Sequence, residues 1–140
     1  VGIRLSPLSS QLVNTPLDSD VMGTYGYIID QLNDFGLAYL HFLEGSPAGD
    51  RPNPQEADLD TLRARFKGPF IGNNGYDLDL ATTRLQEGRI DLVAFGRPFI
   101  SNPDLVQRLR TGTALTAPDP NTFYGDTEMG LTDWPVTSAK

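Results

Sequence analysis

Four times along this chain a short apolar run gives way to a segment with helical spacing, and that alternation restricts the fold more than any other feature. The first run covers residues 1–5 and is closed by Ser6-Pro7. After a polar loop containing Pro16, the residues Val21, Met22, Tyr25, Ile28, Ile29 and Leu32 recur at helical intervals. This spacing predicts a helix over 20–35, capped by Asp18, Ser19 or Asp20 and stopped at Gly36. Residues 37–43 form a nearly unbroken apolar run, as in a strand buried on both faces. A long loop over 44–55 holds three prolines and two glycines, and loops of that length are more often functional than not. Leu59, Leu62, Ala64 and Phe66 predict a modest helix ended by Gly68-Pro69. Phe70-Ile71-Gly72 is a short strand, followed by an Asn73-Asn74-Gly75 turn and a helix capped by Asp77 and stopped at Gly88. A fourth strand over 90–95 is broken by Gly96-Arg97-Pro98. The last helix has Asn102 as cap, Pro103 at its first position and Gly112 as its stop.

Strand–helix alternation of this kind means βαβ units and a parallel sheet. Two architectures compete: an open doubly wound sheet, or part of a (β/α) barrel. The first would carry a glycine-rich phosphate turn after its first strand. Here that position reads Ser6-Pro7-Leu8, and the glycine-bearing turns follow strands three and four instead. On this reading residues 1–112 form four βα units and residues 113–140 a loop-like tail.

Composition removes several function classes. The 140 residues contain no cysteine, which excludes disulfide scaffolds, zinc–thiolate sites and cysteine nucleophiles. The single histidine, His41, excludes any mechanism that draws two from this chain. No metal site is expected. A net charge of −7 argues against a broad nucleic-acid surface and fits a soluble cytoplasmic protein. No apolar run approaches the ~18–20 residues of a membrane-spanning helix, and no signal-peptide pattern is present. The chain opens Val1-Gly2-Ile3-Arg4-Leu5 without methionine, as though within a strand, so 140 residues are expected to be a piece of something longer.

In (β/α)8 barrels a phosphate site is often built by the loops after strands seven and eight with a short extra helix. If this chain supplies strands five to eight, Asn73-Asn74-Gly75 follows the seventh strand and Gly96-Arg97 the eighth, with residues 98–102 as the extra helix. Glycine lets a phosphate approach backbone N–H groups, and an arginine adds a bidentate contact. The competing reading is that these are ordinary turn residues. Arg4 stands in an otherwise apolar strand, where it would meet either a ligand anion or a structural ion-pair partner.

Three stretches carry a family resemblance. They are Val1-Gly2-Ile3-Arg4-Leu5-Ser6-Pro7, Ile71-Gly72-Asn73-Asn74-Gly75-Tyr76, and the segment from Ala94-Phe95-Gly96-Arg97-Pro98 through Asn102-Pro103-Asp104-Leu105. With Thr122-Phe123-Tyr124-Gly125 and Thr132-Asp133-Trp134-Pro135 they resemble the old yellow enzyme family, most nearly its N-ethylmaleimide reductase type. The resemblance covers nearly the whole chain and implies an FMN-dependent (β/α)8 barrel. Such an enzyme passes hydride from NADPH or NADH, by way of the flavin, to an activated alkene such as an enone or maleimide. It further implies that Arg4 lies near the flavin ring, that Asn73, Asn74 and Gly75 with Gly96 and Arg97 bind the FMN phosphate, and that Phe123 and Tyr124 line the substrate site. His41 gains no role from it and reads as a satisfied core or strand-end histidine. Glu44 is at most a residue of the substrate mouth. The loop 9–15 departs from the family's glycine- and phenylalanine-rich version, which bears on substrate preference.

The resemblance also says what is absent. The family's catalytic residues (a substrate-anchoring histidine pair or histidine–asparagine, and a tyrosine proton donor) come from the other half of the barrel, so no catalytic residue is expected in this chain. The expected partner is a complementary N-terminal half-barrel, as a separate chain or a missing segment. Alternatives are a non-catalytic FMN- or phosphate-binding half-barrel, or a structural complement to another barrel half.

Overall fold

A computed structural model of the chain describes residues 1–9, 17–45, 56–125 and 127–136; most of the loops 9–15 and 44–55 therefore lies outside the described residues. The chain divides into two compact units, Val1–Ala94 and Phe95–Lys140.

The first unit is a four-stranded sheet with helices between its strands. Its elements are β1 (Ile3–Leu5), α1 (Val21–Leu32) with a 3-10 turn at Asn33–Phe35, β2 (Leu40–Leu43), α2 (Leu59–Arg65), β3 (Phe70–Asn73), α3 (Leu78–Gln86) and β4 (Leu92–Ala94). All three strand pairs are parallel and the strand order is sequential. An aspartate opens each of the three helices. Asp20 accepts from the N–H of Gly23, Asp58 from that of Thr61 and Asp77 from that of Leu80. Each cap satisfies a backbone donor that the helix leaves unpaired and is worth about 1 kcal/mol.

Register assigns the side chains to two faces. Ile3, Leu40 and Phe70 form one row, and Leu5, Phe42, Gly72 and Val93 the next row on the same face. This face meets the helices. Leu40, Phe42 and Phe70 are buried with Val21, Ile29, Leu62 and Phe66. The Phe42 ring lies 5.3 Å from that of Phe70 and 6.5 Å from that of Tyr25. The opposite face carries the row Arg4, His41, Ile71 and Leu92. It is poorly covered: Arg4 is exposed and Leu92 is 52% exposed.

Two strands are shorter than the apolar runs predict, each for a local reason. Residues 37–43 read as one strand, but β2 begins at Leu40. The parallel register sets Pro69 opposite Tyr39, and proline has no N–H to give the ladder. Residues 90–95 read as another, but β4 begins at Leu92. There the Asp91 carboxylate accepts from the N–H of Phe70 at 2.8 Å and from Arg63 Nη2 at 2.7 Å, taking a side-chain bond where strand pairing would start. Asn73, expected in a turn, is the last residue of β3.

The second unit holds the short helix α4 (Arg97–Ser101), α5 (Leu105–Thr111) and a 3-10 turn at Pro120–Thr122. The extra helix begins one residue earlier than the sequence predicts. Asn102 does not cap α5. It is fully buried, donates from Nδ2 to the carbonyls of Pro98 and Thr116 at 2.8 and 3.0 Å, and accepts from the N–H of Thr116 at 2.8 Å. Arg108 is buried likewise, paired with Asp104 at 2.7 Å and donating to the carbonyls of Ala114 and Pro135. These bonds tie the tail to its helices. Among the described residues no helix is long and apolar enough to cross a membrane, and no cluster of three potential metal ligands occurs.

Candidate functional site

A parallel sheet puts the carboxyl ends of all its strands at one edge, where ligand sites of α/β folds are built. In the first unit that edge is formed by Leu5, Leu43, Asn73 and Ala94 with the residues that follow them. The structure brings four of the sequence-predicted residues together there: Arg4, Asn73, Asn74 and Gly75.

Arg4 Nη2 donates to Asn73 Oδ1 at 3.3 Å. Asn73 Nδ2 donates to the carbonyl of Ala94 at 2.6 Å, and the Asn73 carbonyl accepts from the N–H of Glu44 at 3.0 Å. The arginine is therefore tied to an amide. Among the described residues no carboxylate pairs with it. Asn74 and Gly75 follow with φ of 110° and 60°. Two consecutive residues at positive φ turn the chain sharply off the sheet edge, and an asparagine there is strained backbone of the kind that gathers at ligand sites. Asn74 is buried, whereas Gly75 is exposed.

His41 is the Cα partner of Arg4 on β2. Its Nε2 is buried without a hydrogen-bond partner, while the Asn73 side chain hydrogen-bonds the ring, so the expected satisfied histidine is satisfied only in part. Burial pushes its pKa below the ordinary value and the Arg4 charge pushes it further down, while the Asn73 amide acts in the opposite direction.

Glu44 is buried and lines a cavity of about 240 Å³ with Leu8, Asp58, Asp60 and Arg84. Sequence reasoning missed this cavity, since its walls come from segments far apart in the chain. Its charged groups have structural duties: Asp58 caps α2, and Asp60 holds Arg84 and Arg89.

In the second unit Gly96 caps α4 and Arg97 is its first residue, exposed. In the chain they follow β4 directly. Phe123 and Tyr124 adjoin the Pro120–Thr122 turn, their rings edge to face at 6.4 Å. Tyr124 is 96% exposed.

A sequential parallel sheet with interleaved helices and a polar carboxyl edge is the repeating unit of a (β/α) barrel, and solved structures match it. The old yellow enzyme from Trypanosoma cruzi is 36% identical with a TM-score of 0.86, over 96% of this chain and 34% of that one. Morphinone reductase is 44% identical with a TM-score of 0.86, over 97% of this chain and 36% of that one. The four-stranded parallel sheet thus matches part of the barrel of these proteins.

The model of the NADH:flavin oxidoreductase / NADH oxidase family matches residues 1–116. The chain belongs to this family, that of old yellow enzyme. Among curated relatives, 12-oxophytodienoate reductase 1 of Oryza sativa subsp. japonica is 38% identical over 138 residues, covering 96% of this chain and 36% of the relative. The chain spans about a third of the length of such relatives.

Proposed function

We propose that this chain is the carboxyl-terminal half, strands and helices five to eight, of an FMN-dependent (β/α)8-barrel reductase. The completed enzyme takes hydride from NADPH or NADH and reduces the C=C bond of an activated alkene such as an enone or maleimide. One observation carries the reading: in a chain of this family, the Arg4 guanidinium stands on the uncovered face of a parallel sheet, bound to the strand that leads into a positive-φ turn.

The residues present fit the cofactor. Arginine has five N–H donors, and Asn73 takes one from Arg4. The rest are suited to the polar edge of a flavin ring, where a fixed cation stabilises negative charge. The turn at Asn74 and Gly75 offers backbone amides to a phosphate. Gly96 and Arg97, which directly follow β4 in the chain, suit the same phosphate by residue type, and Phe123 and Tyr124 suit a substrate ring by theirs. FMN, when bound, supplies the two-electron chemistry. No residue of this chain is assigned a catalytic proton transfer; those groups belong to the complementary N-terminal half-barrel.

Visible absorption and NADPH oxidation with N-ethylmaleimide test the reading. A flavin band and turnover are expected once the N-terminal half is supplied. A flavin band without turnover in the completed protein would favour a non-catalytic flavin-binding half-barrel. Absence of flavin from the completed protein would defeat both.

A further inference from the structure

Asn73 does more than begin a turn. It ends β3 on the same face as Arg4, with one strand, β2, between them. Its amide is oriented by its own bonds. Nδ2 is spent on the Ala94 carbonyl at 2.6 Å, so Oδ1 points toward β1, where it accepts from Arg4 Nη2 at 3.3 Å. The arginine thus spans two inter-strand spacings, about 9–10 Å, across the open side of β2. An unbound arginine has many rotamers and would lose this position. His41 is the β2 residue in register with Arg4.

We propose that Asn73 is a positioning residue. It holds the Arg4 guanidinium across β2 and through Arg4 raises the reduction potential of the flavin; the flavin part rests on the function proposed above. A leucine of similar size at position 73 would offer Arg4 no acceptor.

His41 is the only histidine of this chain, which makes its titration a local reporter of the Arg4 charge. The measurement uses the flavin-loaded complete protein with only this chain's histidine isotopically labelled. Asn73 also acts on His41 directly, so the comparison is a double-mutant cycle. Asn73→Leu should move the His41 titration upward relative to the shift it causes in an Arg4→Gln background. Equal shifts in both backgrounds would overturn the positioning role. Asn73→Ser gives the same cycle if the leucine variant fails to fold by circular dichroism.

The flavin midpoint potential is the second readout. Arg4→Gln and Asn73→Leu should each lower it, and together no further than Arg4→Gln alone. A fall with Arg4→Gln but none with Asn73→Leu would overturn the positioning role and leave the flavin site standing. If neither variant moves the potential while the histidine cycle shows coupling, the flavin reading fails and Asn73 remains the residue that positions Arg4.

Discussion

His41 is a base held where its charged form is disfavoured. Burial removes water from the imidazole, the neighbouring Arg4 adds like-charge repulsion, and Asn73 offsets only part of this. Nothing in the local sequence reveals it, because an apolar run does not tell which of its residues face the covered side of a sheet. That depends on register with β1 and β3, which is a tertiary fact. A lowered pKa in the folded state means that the unfolded chain binds more protons below the ordinary value of 6.5. Stability from this source is complete above 6.5 and is lost as pH falls toward the folded value. Urea midpoints measured from about pH 7.5 to about pH 5.5 should therefore fall, before most carboxylates titrate. His41→Gln should flatten that stretch of the profile. A decline of equal steepness in the variant would assign the effect to other groups.

At the scale of elements, the order of strands and helices was legible because their signals are local. The caps at Asp20 and Asp77 and the periodic leucines and isoleucines act within one or two turns, whereas the Asp58 cap of α2 emerged only in the structure. Strand ends were less so. Pro69 limits β2 from the adjacent strand, and the Asp91 side chain delays β4, both through pairing that only the assembled sheet defines. The site divides the same way. Arg4, Asn73, Asn74 and Gly75 were identifiable by residue type and order, but the bond that joins the first two crosses 69 positions of chain. Gly72 illustrates a requirement between elements. It lies on the helix-facing side of β3, and a Cβ there would stand 2.7 Å from the Tyr76 hydroxyl and 2.9 Å from Ile90 Cγ2. The missing side chain is what lets Tyr76 fold back beneath β3 and close the turn that carries Asn74 and Gly75. Gly72→Ala should cost about 1–3 kcal/mol through overpacking. The denaturation midpoint measures it, and a change within about 0.5 kcal/mol would mean that Tyr76 moves aside freely.

For the molecule as a whole, the uncovered sheet face is the dominant fact. Parallel sheets bury both faces almost without exception, because βαβ connections cover them. Among the described residues this one leaves Arg4 exposed and Leu92 half exposed on one face, and pairs β1 and β4 on one side only. Apolar surface and unpaired strand edges both drive association when left open. The net charge of −7 opposes it only over distances of about 8–10 Å at physiological salt, too short-ranged to protect a face already in contact. The isolated chain is therefore expected to bind a hydrophobic dye and to self-associate as concentration rises, with little response to added salt. Supplying the proposed complementary half-barrel should abolish both, its strands pairing with β1 and β4 and its side chains filling the space over Arg4, His41, Ile71 and Leu92. Sedimentation velocity with and without that half checks the outcome. A monodisperse, dye-silent monomer in its absence would mean that this chain satisfies its own sheet, and the complementary half would no longer be needed to explain the open face.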